Sequence, residues 1–470
     1  MSAKGEALVT PPWSETAVRE ALGLELPLGR PPVTFSGIST DSRSITSGAL
    51  FVAFEGEKFD GHSHLSAAAA AGASGAVVRV GTPPVSGLTL FEVPDTLRAF
   101  GQLARARRRR LKGPVIAITG TNGKTSTKEM LAAVLRTRYV THATRANLNN
   151  LVGVPLTILE APPDTEALVV EAGANRPGEI ARYREIIEPS MTIITNAVAG
   201  HLEGFGSLAG VVEEKLSLTD GVDLAIVGTE PRNLATGARK RARRVQTAGL
   251  KGADITPENV TLDESARPVI TIGGRTLVLS ARGLHQADNA VRVWAAVDAL
   301  GLDPEAAARA LESFSIPAGR GDLLQEGGLT ILNDCYNANP QSFRAAIATA
   351  AALRVKRRLV FVAGTMRELG EDSAALHQEV AEALVRLKPD LLAVVGDFVP
   401  ALDRYAAALG DRLITAADPV ALAPILVQRL EGDEMIVLKA SRGVALERIL
   451  PALAARAKNP GAPPAPLRSR

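Results

Sequence analysis

The stretch Val115-Ile116-Ala117-Ile118-Thr119-Gly120-Thr121-Asn122-Gly123-Lys124-Thr125-Ser126 decides the fold. Its β-branched first half reads as a buried strand. Gly120 and Gly123 mark a tight turn, and Lys124-Thr125-Ser126 opens a helix whose Met130, Leu131, Val134 and Leu135 share one face at helical spacing. A strand that feeds a Gly-rich loop into a helix N-terminus is an anion site, because unpaired N–H groups and the positive end of the helix point at whatever sits there. Lys124 adds a flexible cation for phosphates, and the Thr125 hydroxyl is a candidate Mg²⁺ ligand. The usual phosphate loop runs G-x-x-x-x-G-K-[ST]; here Ile118 stands five before Gly123, and Gly120 gives the variant G-T-N-G-K-T. The strand before it and the amphipathic helix after it favour a nucleotide site over an ordinary turn. Gly120 to Ser126 are therefore the expected nucleotide-binding residues.

Working outward, 470 residues predict about three domains. An apolar fraction of 46% with few aromatics suits α/β layers. The net charge of +3 gives no global argument for a nucleic-acid partner. One cysteine, Cys335, excludes an internal disulfide framework and fits a reducing compartment. The opening MSAKGEALVTPPWSET has no apolar segment of the signal-peptide kind. No run of about 18 uninterrupted apolar residues predicts a membrane span, so a cytoplasmic protein is expected.

On the N-terminal side, residues 12–25 read as a short helix with Ser14 as N-cap. Gly48–Phe54 reads as a strand, Glu55–His62 as a loop, Leu65–Ala71 as a helix and Gly75–Val80 as a strand. Asp41, Ser42 and Arg43 form a polar cluster suited to a phosphorylated ligand, although spacing alone favours an exposed turn. The basic run RARRRRLK (105–112) reads as a solvated helix end before a domain boundary.

On the C-terminal side the pattern alternates strands and helices. Ala167–Glu171 and Met191–Asn196 are short apolar runs ending in Glu171 and Asn196, with His201 five residues on. In a doubly wound parallel sheet, ligands gather outside the carboxyl ends of strands, which places the phosphate loop, Glu171, Asn196 and His201 at one edge. Glu171 and Thr125 suit Mg²⁺, which prefers oxygen ligands; His201 is a less orthodox one. Lys215, on a helical stretch, reads as an ordinary surface lysine, and residues 223–280 as a β-rich excursion. Gly283–Asn289 leads into a helix over 290–300, and Pro317–Arg320 marks a boundary. A second parallel α/β domain follows, with strands at 330–334, 358–363, 391–396 and 435–439 and a helix at 444–457. Asp334, Tyr336, Asn337 and Asn339 cluster after its first strand. No G-x-G-x-x-G is present, so this domain has no dinucleotide fingerprint. Cys335 lacks a paired histidine signature and reads as a small packed side chain. The tail KNPGAPPAPLRSR is Pro-rich and reads as disordered.

The motifs T-G-T-N-G-K-T-S (119–126), N-L-N-N-L-V-G-V-P (147–155), E-A-G-A-N-R-P-G-E-I (171–180), N-A-V-A-G-H-L-E-G-F-G-S (196–207), G-L-H-Q-A-D-N (283–289) and G-R (319–320) together resemble those of the Mur ligase family. The resemblance covers residues 30–457. It implies an α/β protein of three domains: a small UDP-binding unit over 1–110, a central phosphate-loop domain on a parallel sheet over 111–320, and a Rossmann-like domain over 321–457, then a disordered tail at 458–470. It implies an ATP-dependent carboxylate–amine ligase of peptidoglycan precursor synthesis, acting as a monomer with two Mg²⁺ ions.

Further pieces narrow the substrates. D-S-R (41–43), G-E-K-F-D-G-H (56–62), D-C-Y-N-A-N-P-Q-S-F (334–343) and G-T-M-R-E-L-G (364–370) resemble the members that join D-alanyl-D-alanine to a UDP-muramoyl-tripeptide. Ser42, Arg43, Phe59, His62, Asn147 and Asn150, with the cluster at Asp334, Tyr336, Asn337 and Asn339, are then expected substrate residues. The resemblance also assigns Lys215 to a lysine the family carbamylates for a second Mg²⁺. It puts Glu171 and His201 at the metal site, Asn289 near the adenine and Arg320 near the terminal phosphate. Lys124, His201, Lys215 and Arg320 become the catalytic set. Competing expectations are the neighbouring ligase that adds a diamino acid, a folate- or polymer-type ligase, and a non-catalytic nucleotide-binding scaffold.

Overall fold

The protein is described here from a computed structural model covering residues 10–27, 31–56, 59–354 and 357–458. Of the expected tail, only Lys458 falls within this range, at the end of the helix Leu450–Lys458; residues 459–470, like the opening 1–9, lie outside it.

The N-terminal sheet orders its strands Ile38–Ser39, Leu50–Val52, Gly75–Arg79 and Thr89–Val93, all parallel. Asp41–Arg43, Phe59–His62 and the turn after Arg79 therefore all follow carboxyl ends of one sheet. Ser14 caps the helix Glu15–Leu22 as expected, accepting from Ala17 N. The expected loop at 55–62 instead holds a hairpin, Glu55–Gly56 with Phe59–Asp60, and a 3-10 turn whose His62 N–H is capped by Asp60.

The basic run is a helix end, as expected, but only partly solvated: Arg105, Arg109, Arg110 and Lys112 are exposed while Arg107 is buried. The helix Thr96–Arg108 buries Phe100, Leu103 and Ala104 in one apolar core with Val154, Ile158, Tyr183 and Ile187. Arg107, 6% exposed, donates to Ala161 O at 2.7 Å. Arg108 donates to Ile187 O and Glu188 O at 2.7 and 2.8 Å, and Arg105 and Arg109 pair with Glu188. The arginines satisfy carbonyls that the helices Gly153–Leu159 and Glu179–Ile187 leave unpaired at their C-termini. Charge density along a sequence does not say which helix ends wait for it.

The central sheet runs Thr141–Ala143, Ala167–Glu171, Val115–Thr119, Met191–Ile194, Leu224–Val227 and Arg244–Thr247, all parallel. The chain adds strands on one side of Val115–Thr119 and then on the other, so the loop after it lies at the topological switch point where ligands bind. Leu224–Val227, expected in an excursion, belongs to this sheet: all four residues are buried, as a strand covered on both faces requires. Only Asn259–Leu262, Pro268–Ile272 and Arg275–Val278 form a separate antiparallel sheet. The following helix starts at Leu284, earlier than its apolar stretch suggests, and carries Asn289 within it.

The C-terminal sheet has the order Asp322–Glu326, Leu329–Asp334, Met435–Lys439, Leu359–Ala363, Leu391–Val395, Leu413–Ala416. All neighbours are parallel except the first pair. The two edge strands escape the sequence pattern because they are mixed and half-exposed. The expected helix at 444–457 is broken: Ala445 at φ 56° separates the 3-10 turn Arg442–Val444 from a second one, Leu446–Ile449, and the helix proper is only Leu450–Lys458.

Gly120 carries the packing of the central loop. Its φ is +142°, and a Cβ there would sit 2.0 Å from Thr195 Oγ1 and 3.0 Å from Asn196 O. Gly120→Ala is expected to lower unfolding stability by at least about 2 kcal/mol, read by denaturant melts, since the clash and the strained backbone add. An unchanged midpoint would show that the loop relaxes freely.

Candidate active-site cleft

The loop after Val115–Thr119 is fixed through its backbone by Thr195 and Asn196, which follow the neighbouring strand. Asn122 N donates to Asn196 Oδ1 (3.0 Å), Thr195 Oγ1 donates to Asn122 O (2.5 Å), and Thr121 N donates to Asn196 O (3.0 Å). Gly123, at φ +80°, is the residue before the helix Lys124–Leu135; a Cβ on it would lie 2.4 Å from Asn289 Oδ1. Asn289 thus presses against the loop. Lys124 Nζ lies along the loop, donating to Gly120 O (2.9 Å) and Thr121 O (3.1 Å). Burial pushes its pKa down, Glu171 opposes this, and nearby Arg320 adds to the depression.

Glu171, 1% exposed, ends the neighbouring strand. Its Oε2 accepts from Thr125 Oγ1 and its Oε1 from Asn149 Nδ2, each at 2.8 Å. A buried carboxylate held by a loop hydroxyl and an amide is oriented without a salt bridge. Asn149 was not anticipated as a site residue, although it lies in the N-L-N-N motif beside Asn150.

The opposite wall comes from the C-terminal domain. Asn339 caps the helix Pro340–Leu353 and reaches back, its Nδ2 donating to Asn122 Oδ1 at 2.7 Å; Asn122 Nδ2 donates to Gln341 Oε1 at 2.7 Å. Gln341 also bonds Glu230 of the central domain. The two domains enclose a cavity of about 370 Å³. Arg320 lies over the Tyr336 ring, 4.0 Å from its centroid. Lys439 bonds Asp334 Oδ2 (2.7 Å) and Asn337 O (2.9 Å). Burial raises the Asp334 pKa and Lys439 opposes it.

Of the expected residues, Thr121, Asn122, Gly123, Lys124 and Ser126 line this cavity from the loop. Asn150, Glu171, His201 and Asn289 line it from elsewhere in the central domain; Arg320, Asp334, Tyr336 and Asn337 face them. Thr125 and Asn339 stand just behind the wall, bonded to Glu171 and Asn122. Asn147 is exposed and does not line the cavity. Nor do Ser42, Arg43, Phe59 and His62, which stay on the N-terminal sheet. There Arg43 pairs with Asp41 at 2.6 Å, and His62 Nδ1 lies 2.6 Å from Asp60 Oδ1 beside a smaller cavity of about 310 Å³. The cleft also contains residues that were not anticipated: Tyr183, His285 and Lys439. His285 stood in the G-L-H-Q-A-D-N motif; its enclosure by protein pushes its pKa down to about 4. Lys439 was visible only as a lysine after a strand end.

Lys215 overturns its reading as a surface lysine. It is 2% exposed, with Nζ 5.3 Å from the Phe205 ring centroid. Burial, and then the charge of Lys124, push its pKa down to about 7. One face of an amphipathic helix meets an unlike neighbour here, and periodicity alone does not show it. His201 sits at φ 54°, with Nδ1 2.5 Å from Glu368 Oε2 of the C-terminal domain. The Cys335 thiol is 2% exposed and pushed up to about 12 by burial first, which suits packing and not nucleophilic attack.

Among the described residues no group of three or more His, Cys, Asp or Glu side chains forms a metal cage. Thr125 and Glu171 supply one hydroxyl and one carboxylate, a donor set that suits Mg²⁺, which takes few protein ligands and completes its shell with phosphate oxygens and water.

Fold and cleft define a three-domain phosphate-loop protein whose anion site is shared between two α/β domains. Comparison with known families agrees. Residues 34–108 match the Mur ligase family catalytic domain, 118–297 the Mur ligase middle domain, and 319–442 the Mur ligase glutamate ligase domain. The chain is 34% identical over 427 residues to the UDP-N-acetylmuramoyl-tripeptide–D-alanyl-D-alanine ligase of Bacillus subtilis, covering 88% of this chain and 92% of that one. A crystal structure of MurF from Acinetobacter baumannii superimposes with a TM-score of 0.85 at 29% identity, covering 95% of this chain and 100% of that one. MurF ligase from Thermotoga maritima, solved in complex with ADP, gives 0.80 at 26%, covering 90% and 98%. The chain belongs to the Mur ligase family, and it is a ligase.

Proposed function

We propose that this ligase joins D-alanyl-D-alanine to a UDP-N-acetylmuramoyl-tripeptide at the expense of ATP, making the UDP-muramoyl-pentapeptide in the cytoplasm. The observation that carries the chemistry is the convergence of Lys124 and Arg320 on one cleft, where Arg320 adds to the depression of the Lys124 pKa. Cations that converge on a Gly-rich loop at a helix N-terminus suit a polyphosphate. The named relatives supply the substrates, and the ADP complex supports the nucleotide.

In the first step a carboxylate oxygen of the tripeptide attacks the γ-phosphorus of ATP. The bond to the β–γ bridging oxygen breaks, leaving an acyl phosphate and ADP. In the second step the dipeptide amine attacks the acyl carbon, phosphate leaves with the electron pair of the C–O bond, and the amine gives up a proton. Several anions meet in the first step, so charge neutralisation dominates. Lys124 would turn from its loop carbonyls to the phosphates, and Arg320 would meet the terminal phosphate from the opposite wall. Thr125 and Glu171 would hold one Mg²⁺; His201 and a carbamylated Lys215 would hold a second. The ions would supply further neutralisation of phosphate charge. Asn289, packed against Gly123, would lie near the adenine, and Tyr336 and Asn337 would border the acyl centre. Ser42, Arg43, Phe59 and His62 would take the UDP end at the carboxyl edge of the N-terminal sheet.

The test is ADP release by the purified protein with UDP-muramoyl-tripeptide plus D-alanyl-D-alanine, against UDP-muramoyl-dipeptide plus diamino acids. Release in the first mixture alone supports the proposal. Release in the second alone assigns the neighbouring ligation, and release in neither contradicts both.

A further inference from the structure

Two residues with a left-handed backbone and no glycine meet across the domain boundary. His201, at φ 54°, follows the strand Met191–Ile194; Glu368, at φ 63°, follows Leu359–Ala363. Such conformations are costly for side chains with a Cβ and persist where surrounding structure enforces them. The His201 Nδ1 is buried, has no other partner, and lies 2.5 Å from Glu368 Oε2.

The loop that presents Glu368 is fixed from several sides. Gly364 N donates to Lys439 O, Met366 N to His377 Nε2, and Arg367 N to Ser441 Oγ, each at 2.9 Å. Thr365 Oγ1 accepts from Asp397 N at 2.9 Å, and Met366 and Leu369 are 1% and 2% exposed. Two residues further on, an added Cβ at Gly370 would lie 3.6 Å from Glu203 N, so the segments just after His201 and Glu368 also approach each other. The same loop is bonded to Lys439, which lines the cleft, and to Ser441 two residues on, so a shift of the C-terminal domain moves Glu368 with it.

We propose that Glu368 is a positioning residue: it holds the His201 imidazole from across the boundary and so couples seating of the C-terminal domain to assembly of the central site. Its kinetic consequence rests on the ligase reading above; its structural consequence does not. The contact joins the central and C-terminal domains in this structure.

The experiment uses the full chain as wild type, Glu368→Ala, Glu368→Gln, Glu368→Asp, His201→Ala and the His201/Glu368 double alanine variant, each checked by thermal melts. Small-angle scattering of the nucleotide-free protein is expected to show a larger radius of gyration for Glu368→Ala and Glu368→Gln, with Glu368→Asp nearer wild type. In the ADP-release assay Glu368→Ala is expected to lose at least tenfold in kcat/KM, and the same substitution is expected to cost less than twofold in the His201→Ala background. Equal costs in both backgrounds would show that Glu368 acts independently of His201 and overturn the proposal. So would scattering and kinetics of Glu368→Gln that match wild type. If the wild type itself releases no ADP, the ligase reading fails, and the scattering comparison alone decides the contact.

Discussion

Replacing Lys124 by alanine is expected to cut turnover at least about 100-fold, on the order of 3 kcal/mol of transition-state stabilisation, with the melting midpoint close to wild type. The ammonium makes only two bonds in the resting protein, both to carbonyls of its own loop. Both bonds are local to the loop and tie no other element to it, so their loss is expected to cost little folding energy. On the proposed mechanism, transfer of the γ-phosphoryl group would place developing negative charge where Lys124 and Arg320 converge, and only one of the two would remain. Steady-state ADP release at saturating substrates measures it. Turnover within a few-fold of wild type would remove Lys124, and with it the phosphate-loop assignment, from the mechanism.

Lys215→Ala is expected to be essentially inactive, and millimolar formate or acetate is expected to restore part of the activity. The reason lies in the environment. With a pKa near 7, the buried amine is largely neutral at mildly alkaline pH, where an ordinary lysine near 10.4 is almost fully protonated. A neutral amine adds CO₂ at nitrogen and releases a proton, giving a carbamate; the ammonium form has no lone pair to do so. The sign follows: the pKa is depressed, so the reactive form dominates above about 7 and is lost as pH falls through it. Wild-type activity should therefore decline below pH 7 and recover in part with added bicarbonate. A Lys215→Ala variant of normal activity, or one that no carboxylate rescues, would rule the carbamate out.

The phosphate loop, the strand ends bearing Glu171 and Asn196, and most of the cleft were legible because each sits at a junction with its own chemical signature. A β-branched run, two glycines and a lysine in fixed order leave little room for another local structure. What was illegible depended on partners far away in the chain. Lys215 and Arg107 look like surface charges until the neighbouring helices close over them. Leu224–Val227 is an apolar run whose parallel pairing no local feature declares. His285 and Lys439 reached the cleft only because two domains meet there, and Glu368 acquires its meaning from a histidine 167 positions earlier (368 − 201). The residues of the N-terminal sheet show the reverse case: Ser42, Arg43 and His62 were singled out by motif, and the fold gathers them at one sheet edge, away from the central cavity.

The most direct test of the whole account is the mass of the product. Purified protein incubated with ATP, Mg²⁺, UDP-N-acetylmuramoyl-tripeptide and D-alanyl-D-alanine should yield a UDP-muramoyl-pentapeptide, seen by mass spectrometry as the tripeptide substrate plus the dipeptide minus one water. Its formation should require every component and match the ADP released one for one. ATP hydrolysis without that mass, or a diamino acid incorporated in place of the dipeptide, would contradict the account.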